Sequence, residues 1–184
     1  MTTVLSKAVV RRILDTPADA FPSDWGAPVW GQRDAWPAYW VETPGAGPEA
    51  GSSVTAYRLG FVCEEPTTLR LYVTADQRYQ LFLDGQRIGE GSERGALTSW
   101  FFETYELELE RGEHSLCSVT WWLAEYLPWA QATVRPAFLL ACPNEVYREK
   151  LSTGIAPWQG RRVEGVGFFD PSEQLGQTSG AGAR

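Results

Sequence analysis

Two carboxylates, Asp76 and Glu90, lie near the ends of the stretch TADQRYQLFLDGQRIGEG, residues 74–91. A pair of carboxyl groups hydrolyses glycosidic bonds when the groups stand roughly 5–10 Å apart. The sequence does not set that distance, and carboxylates in the loops of β-sandwiches usually serve salt bridges and turns. We therefore expect this stretch mainly to build structure, and we assign no catalytic residue.

The other residue types that commonly carry chemistry occur in patterns that predict neither a cofactor nor a metal. His114 follows Arg-Gly-Glu at a tight turn, and no Gly-x-Ser-x-Gly pattern supplies a nucleophile for it. The stretch GEGSERG, residues 89–95, lacks the Lys-Ser/Thr pair of a phosphate loop. One histidine and no Cys-x-x-Cys motif argue against a structural zinc site.

The aromatic content is unusual, with nine tryptophans in 184 residues. Tryptophan combines a large apolar ring with one N–H donor, which suits both sandwich cores and surfaces that stack on sugars. Trp100 and Trp129 fall in predicted loops, and Glu93 and Arg94 could hydrogen-bond the hydroxyls of a sugar there. The same rings would serve packing against a neighbouring domain or the N-terminal arm, so both interpretations stay open.

The net charge bears on whether the chain binds nucleic acid, and the cysteines bear on the cellular compartment. The net charge is −7 and the basic residues are scattered, whereas nucleic-acid binding relies on clustered Lys and Arg. No stretch approaches the roughly 20 apolar residues that cross a bilayer. The N-terminus, MTTVLSKAVVRRIL, lacks a signal-peptide pattern. Cys63, Cys117 and Cys142 lie in apolar contexts, which predicts buried free thiols and a cytoplasmic location.

From residue 54 onward, polar and apolar residues alternate with the period of two that predicts strands. In RYQLFL the residues Tyr79, Leu81 and Leu83 share one face, and the following Asp84-Gly85 is a strong hairpin signal. Further strands are predicted in VTAYRLGFVC, TTLRLYVTA, WFFETYELEL, HSLCSVTWWLA, TVRPAFLLAC, VYREKLSTG and RRVEGVGFF. Short strands at this spacing predict an all-β fold, an antiparallel β-sandwich or jelly roll.

The chain divides by composition into three parts. Residues 1–45 contain five prolines and predict an irregular N-terminal arm that packs on the sandwich, with room for a short helix near residues 5–14 and a short strand at Tyr39–Glu42. Residues 46–170 carry the strands of the sandwich. Residues 171–184 are rich in Gly, Ser and Ala and predict a linker-like tail.

Several segments together resemble one family of domains. WPAYWVE, AYRLGF, LRLYVTADQRYQLFLDGQRIGEG, YELELERGEHSL and LSTGIAPWQG occur in an order similar to that in the N-terminal β-sandwich of bacterial α-L-rhamnosidase-type glycoside hydrolases, a galactose-binding-like jelly roll. The most specific piece, ADQRYQLFLDGQRIGEG, is similar to the family pattern of Ala-x-Asp, then Tyr, then an Asn/Asp-Gly turn; here Ala75 directly precedes Asp76, and Tyr79 and Asp84-Gly85 follow. Asp84 stands where Asn is common in that family. The resemblance covers about residues 36–170 and implies that Asp76 and Arg78 fix the start of a strand.

The resemblance implies a domain that accompanies an enzyme. In that family the catalytic carboxylates belong to a separate helical barrel, for which 184 residues leave no room beside a sandwich. We therefore expect a non-catalytic, carbohydrate-associated domain that binds a rhamnose- or galactose-like sugar or shapes the active site of an adjacent catalytic domain. A structural docking domain without a ligand is the alternative, and a self-sufficient small hydrolase is the least favoured interpretation.

Overall fold

Two antiparallel sheets face each other across one apolar core. The computed structural model describes residues 3–12, 38–92, 101–126, 133–166 and 168. Within these residues the strands are β1 Thr3–Arg12, β2 Ser53–Cys63, β3 Thr67–Ala75, β4 Arg78–Leu83, β5 Gln86–Gly91, β6 Phe101–Leu109, β7 Gly112–Trp122, β8 Phe138–Ala141 and β9 Gln159–Arg162. One sheet has the order β1-β6-β3-β8 and the other β5-β4-β7-β2-β9. The predicted antiparallel β-sandwich is confirmed.

The strands form because their apolar side chains alternate and bury one face of each sheet. In β4, Tyr79, Leu81 and Leu83 are at most 2% exposed, whereas the residues between them are partly exposed. The same alternation runs along β2 and β7, which pair over their whole length. Each buried leucine contributes about 1.5–3 kcal/mol of hydrophobic stabilisation. The core is formed mainly by Tyr57, Leu59, Leu71, Val73, Tyr79, Leu81, Tyr105, Leu107, Leu116, Phe138 and Leu140.

The hairpin predicted between β4 and β5 is present. Asp84 and Gly85 have φ values of 50° and 79°, and Leu83 pairs with Gln86 across the turn. Two-residue hairpins favour left-handed conformations at both turn positions because these match the twist of the strands. Asp tolerates this conformation better than most residues, and Gly adopts it without steric cost.

The N-terminal segment differs from the expected short helix. Residues Thr3–Arg12 form β1, which pairs antiparallel with β6 at the edge of its sheet. Its Val and Thr residues favour strands, and β6 gains hydrogen-bonding partners for its outer backbone groups. The strand expected at Tyr39–Glu42 shrinks to one bridge between Val41 and Phe138. The arm is therefore paired rather than irregular over residues 3–12.

The strand predicted in VYREKLSTG is wrong, because a short helix, α1 Arg148–Leu151, lies there. The Oδ1 atom of Asn144 accepts hydrogen bonds from the backbone N–H groups of Val146 and Tyr147, at 3.0 and 3.2 Å. Tyr147 and Leu151 are both buried. A spacing of four residues places them on one helical face, a period that the strand interpretation overlooked.

Strand β8 is shorter than predicted, and β9 begins and ends earlier than predicted. In TVRPAFLLAC only Phe138–Ala141 is a strand, since Pro136 and Pro143 flank it and cannot donate to a ladder. The final strand was predicted over RRVEGVGFF, but β9 occupies Gln159–Arg162. Gly165, with a φ of 74°, adopts a turn conformation that stops a strand from continuing.

The two ends of the sandwich differ in their connections. We call one the loop end, where strands β3, β5 and β7 end and strands β4, β6 and β8 begin. We call the other the turn end, where Asp84-Gly85 and Glu110-Arg111 join neighbouring strands. No helix in the described part of the chain is long and apolar enough to cross a membrane.

The three cysteines are free, as predicted, but they are not equally buried. Cys63 and Cys142 have no exposed surface, and Cys117 is partly exposed on β7. Cys117 pairs across the sheet with Arg58, on the outer face of the five-stranded sheet. Burial raises the pKa of the Cys142 thiol to about 11. The expectation of three buried thiols is therefore wrong for Cys117.

Candidate functional site

Asp76 anchors the loop end through hydrogen bonds to a distant part of the chain. Its side chain is 1% exposed. Thr133 donates its hydroxyl to Oδ1, and the N–H groups of Val134 and Arg135 donate to Oδ2 at 2.6 and 2.8 Å. Burial raises the pKa of Asp76, and these three hydrogen bonds oppose that shift because they stabilise the carboxylate. Asp76 therefore fixes the β7–β8 connection against the β3–β4 connection.

Gln77 extends this anchor to the end of β7. It is 1% exposed and has a φ of 83°, which is uncommon for a residue with a side chain. Its Oε1 atom accepts the backbone N–H of Leu123 at 2.6 Å, and its Nε2 atom donates to the Thr133 hydroxyl at 3.3 Å. The indole N–H of Trp122 donates to the same hydroxyl at 2.8 Å. Thr133 therefore accepts two hydrogen bonds while it donates one to Asp76, which uses its full capacity.

A cleft of about 300 Å³ opens beside this anchor. Arg78 lies at its edge, where its Nη1 atom donates to the carbonyl oxygens of Gln77 and Ser92 at 2.7 and 3.0 Å. These two bonds join the start of β4 to the end of β5 and hold the guanidinium in place. The cleft is lined by Arg78, Tyr79, Glu90, Gly91, Ser92, Glu103 and Trp121.

A buried carboxylate with two tyrosines borders the inner side of the cleft. Glu103 is 3% exposed, and its Oε2 atom accepts the hydroxyls of Tyr105 at 2.7 Å and Tyr79 at 3.3 Å. The two hydroxyl oxygens are themselves 3.1 Å apart. Burial raises the pKa of both tyrosines above its ordinary value, so both stay protonated and can donate to Glu103.

Two glycines of β5 allow this strand to pass close to the buried cluster. A Cβ atom on Gly91 would lie 2.8 Å from Cδ of Glu103, and one on Gly89 would collide with the ring of Tyr105. The glycines in GEG therefore serve close packing. Glu90, between them, is exposed on the edge strand and pairs with Arg87 at 3.2 Å.

The four residues proposed from the sequence as sugar contacts, Glu93, Arg94, Trp100 and Trp129, lie outside the described residues. The described residues on either side of segment 93–100 are at the loop end. Of the residues singled out in the family-like stretch, the structure brings Asp76, Arg78 and Tyr79 to this end.

Asp84 and Gly85 lie at the turn end, away from the cleft. Asp84 accepts His114 Nδ1 at 2.7 Å and the N–H of Ser115 at 2.7 Å, and Nε2 of His114 lies 2.8 Å from the carbonyl oxygen of Glu110. Burial alone lowers the pKa of His114, but the hydrogen bonds to Asp84 and Glu110 outweigh it and raise the pKa above 6.5. Both ring nitrogens of His114 are hydrogen-bonded, so this residue links the Asp84-Gly85 turn to the Glu110-Arg111 turn rather than serving as a base.

Glu103, Tyr105 and Trp121 were not singled out as site residues from the sequence. One signal was present: the alternation in WFFETYELEL places Glu103 on the same face as Tyr105 and Leu107, so a carboxylate points toward the core. Charged residues are seldom fully buried unless they are paired. Trp121 and Trp122 point to opposite faces of β7, because successive strand residues alternate, and Trp122 is buried whereas Trp121 is partly exposed.

The cleft combines groups that suit a polar ring-shaped ligand. Trp121 offers an aromatic ring, Glu90 an exposed acceptor and Arg78 a donor, whereas Glu103 is buried and holds the two tyrosines. Among the described residues, no group of three or more His, Cys, Asp or Glu side chains is placed to hold a metal ion. The arrangement can therefore bind through hydrogen bonds and stacking.

Comparison with known proteins supports the fold. No protein-family model and no curated protein matches the chain. A solved structure of the GH78 family rhamnosidase of Bacillus sp. GL1 matches 70% of this chain with a TM-score of 0.58 and 19% identity, and the match covers 14% of that protein.

Two further solved structures match less well. The lectin of Pleurotus ostreatus, in its apo form, has a TM-score of 0.43 and 16% identity over 70% of this chain and 32% of its own. The native α-L-rhamnosidase from Aspergillus terreus has a TM-score of 0.38 and 15% identity over 77% of this chain and 17% of its own. The chain thus spans a minor part of each of these proteins. It shares the fold of one β-sandwich region of the Bacillus GH78 rhamnosidase.

Proposed function

We propose that this chain is a non-catalytic, carbohydrate-associated domain of an α-L-rhamnosidase-like glycoside hydrolase. The cleft at the loop end is the single observation that carries the proposal. Its indole, its guanidinium and the exposed carboxylate of Glu90 match the mixture of stacking surface and hydrogen-bonding groups that sugars require. The shared fold with a region of a protein named as a GH78 rhamnosidase supports the choice of enzyme class.

The anchor beneath the cleft supports a binding role. Asp76, Gln77 and Thr133 form a buried hydrogen-bonded network that joins two connections of the loop end. Loops that bind ligands are commonly positioned by such a rigid scaffold. Glu93, Arg94, Trp100 and Trp129 lie outside the described residues and remain part of the proposal on the sequence argument alone.

The proposal is tested by titrating the isotope-labelled domain with L-rhamnose and with D-galactose. We expect one of these sugars to shift the amide resonances of Gly91, Ser92 and Glu103, with a Kd of the order of 0.1–1 mM, as for a shallow site. Trp121→Ala should weaken binding about tenfold, because it removes an aromatic contact.

Two matched variants sharpen the test. Glu90→Gln, at the cleft, should weaken binding, whereas Glu113→Gln, an equally exposed carboxylate near the turn end, should leave it unchanged. If neither sugar shifts any resonance at the loop end at about 50 mM, far above the expected Kd, the carbohydrate proposal fails. We also expect no turnover of aryl α-L-rhamnoside. Turnover that Asp76→Asn or Glu90→Gln abolishes would contradict the non-catalytic assignment.

The alternative is a structural docking domain without a ligand, and an exposed apolar pair favours it. Tyr39 is 53% exposed and Ile155 is 42% exposed. The backbone N–H of Tyr39 donates to the carbonyl of Thr153, which brings the two side chains to the same part of the surface. Packing against an adjacent catalytic domain would cover such a pair. Sugar-independent association with that domain, lost in Tyr39→Ser, is the result that would favour the alternative.

A further inference from the structure

The outer face of the five-stranded sheet carries a second, larger depression, away from the buried cluster. It has a volume of about 520 Å³ and crosses strands β7, β2 and β9. We call it the arginine depression. Its outward-facing side chains are Ala56, Arg58, Cys117, Val119, Gln159 and Arg161.

The strand register fixes how these side chains are arranged. Ala56 lies opposite both Val119 and Arg161, and Arg58 lies opposite both Cys117 and Gln159. Side chains directly opposite each other stand about 5 Å apart, and diagonal neighbours such as Arg58 and Arg161 about 7–8 Å apart. The result is a narrow apolar strip of Ala56, Cys117 and Val119, with two exposed arginines, Arg58 and Arg161, beside it.

Two arginines beside an apolar strip select a particular ligand chemistry. The guanidinium group is planar and can bind a carboxylate through two parallel hydrogen bonds. The strip of Ala56, Cys117 and Val119 offers an apolar surface for the C–H side of a sugar ring. Trp121, two residues beyond Val119 on β7, places an aromatic ring about 7 Å further along the same face.

A rigid ring fits this surface better than a peptide does. Peptides commonly bind sheets by adding a strand, which requires free backbone groups at a sheet edge. Strands β7 and β2 lie inside the sheet, and each pairs with a neighbour on both sides, whereas β9 is the edge strand. Over β7 and β2 recognition must come from side chains, and a preorganised sugar ring loses little conformational freedom on binding.

We propose that the arginine depression binds an acidic oligosaccharide, with Arg58 and Arg161 contacting the carboxylate of a uronate ring that lies on Ala56 and Val119. This site goes beyond the cleft at the loop end, because Arg58, Arg161, Ala56 and Val119 do not line that cleft, whereas Trp121 lines the cleft and follows Val119 on the same face of β7. Although the chain carries a net charge of −7, the depression presents two cations to an anionic ligand.

The probe is trigalacturonate, and its methyl ester is the matched neutral ligand. We expect trigalacturonate to shift the amide resonances of Ala56, Cys117 and Val119. The ester should bind about tenfold more weakly or worse, because it cannot form charge-assisted hydrogen bonds. Arg58→Gln combined with Arg161→Gln should weaken trigalacturonate binding by a similar factor, whereas Arg111→Gln, an exposed arginine at the turn end, should not.

Several results would overturn the site. It fails if no resonance of these strands moves with trigalacturonate at about 10 mM, if the ester binds as well as the acid, or if Arg111→Gln weakens binding as much as the double variant. Equal binding of pentaglutamate would show a general anion site and would also overturn the oligosaccharide assignment. Binding of neutral sugars at the loop end is read from other resonances, so either proposal can fail while the other stands.

Discussion

The two ends of the sandwich are fastened by different kinds of carboxylate. At the loop end, Asp76 is 1% exposed and accepts hydrogen bonds from residues 133 to 135, far along the chain. At the turn end, the side chain of Asp84 is 37% exposed and contacts His114 and Ser115. Loss of a buried polar partner leaves other groups unsatisfied, whereas water can replace an exposed one. We therefore expect substitution of Asp76 to cost more stability than substitution of Asp84.

The largest loss of stability is expected for a substitution in the apolar core, which lies between the two ends. Leu83→Asp should destabilise the fold by about 4 kcal/mol or more, because Leu83 is 2% exposed and an unpaired carboxylate would be buried in its place. Urea unfolding measures the loss. Gln86→Ala, two residues past the turn Asp, is the control and should change stability by less than about 0.5 kcal/mol. Equal losses in both variants would contradict the register of β4.

Asp76→Asn tests the buried side of the comparison. The Thr133 hydroxyl already accepts hydrogen bonds from Trp122 and Gln77, so it can only donate toward residue 76. The side-chain amide of Asn has one oxygen, which is a weaker acceptor than a carboxylate. Its N–H₂ group would face at least one of the three donors of Thr133, Val134 and Arg135 and could not accept from it. We expect a loss of about 2 kcal/mol in the free energy of unfolding. A loss below about 0.5 kcal/mol would show that the network is not stabilising.

Asp84→Asn is the same substitution at the turn end. Asn also tolerates the left-handed turn conformation, and its oxygen can still accept the N–H of Ser115. We expect a loss of no more than about 1 kcal/mol, as for an exposed ion pair. The asymmetry between the two ends would be disproved if Asp84→Asn cost as much as Asp76→Asn in the same urea experiment.

The smallest expected effect is the pH dependence of the stability that the contact between Asp84 and His114 provides. The pKa of His114 is raised on folding, so its contribution to stability is fully present below the unfolded value of about 6.5 and is lost as pH rises through the folded pKa. The stability difference between the wild type and Asp84→Asn should therefore shrink as the pH rises above about 6.5. His114 is the single histidine, so its NMR titration is unambiguous. A midpoint below about 6.5 would contradict this assignment.

Local patterns predicted much of the sandwich. The alternation of Tyr79, Leu81 and Leu83 set the buried face of β4, and Asp84-Gly85 set its hairpin, because both depend on residues adjacent in the chain. Local reasoning failed at α1, where Tyr147 and Leu151 are compatible with either period over so short a segment. The side chain of Asn144 favours the helix, because it accepts hydrogen bonds from backbone N–H groups just before the helix begins.

The candidate site was harder to predict because its contacts are distant in the sequence. Asp76 was singled out, but its partners at residues 133–135 follow from tertiary packing. Glu103 meets Tyr79 only because two sheets face each other. The arginine depression joins Arg58 to Arg161 through the pairing of β9 with β2, and the sequence predicts this strand from Arg161 onward rather than over Gln159–Arg162.

Because the three thiols are unequally buried, the outer face of the five-stranded sheet can be labelled selectively at Cys117. Cys63 and Cys142 have no accessible surface, and the raised pKa of Cys142 further slows thiolate chemistry. Cys117 borders the arginine depression and is partly exposed. A maleimide fluorophore should therefore attach to the folded protein at one defined position, and whatever occupies that face should slow the labelling rate. The molecule thus carries its own reporter for occupancy of the depression, without any engineered residue.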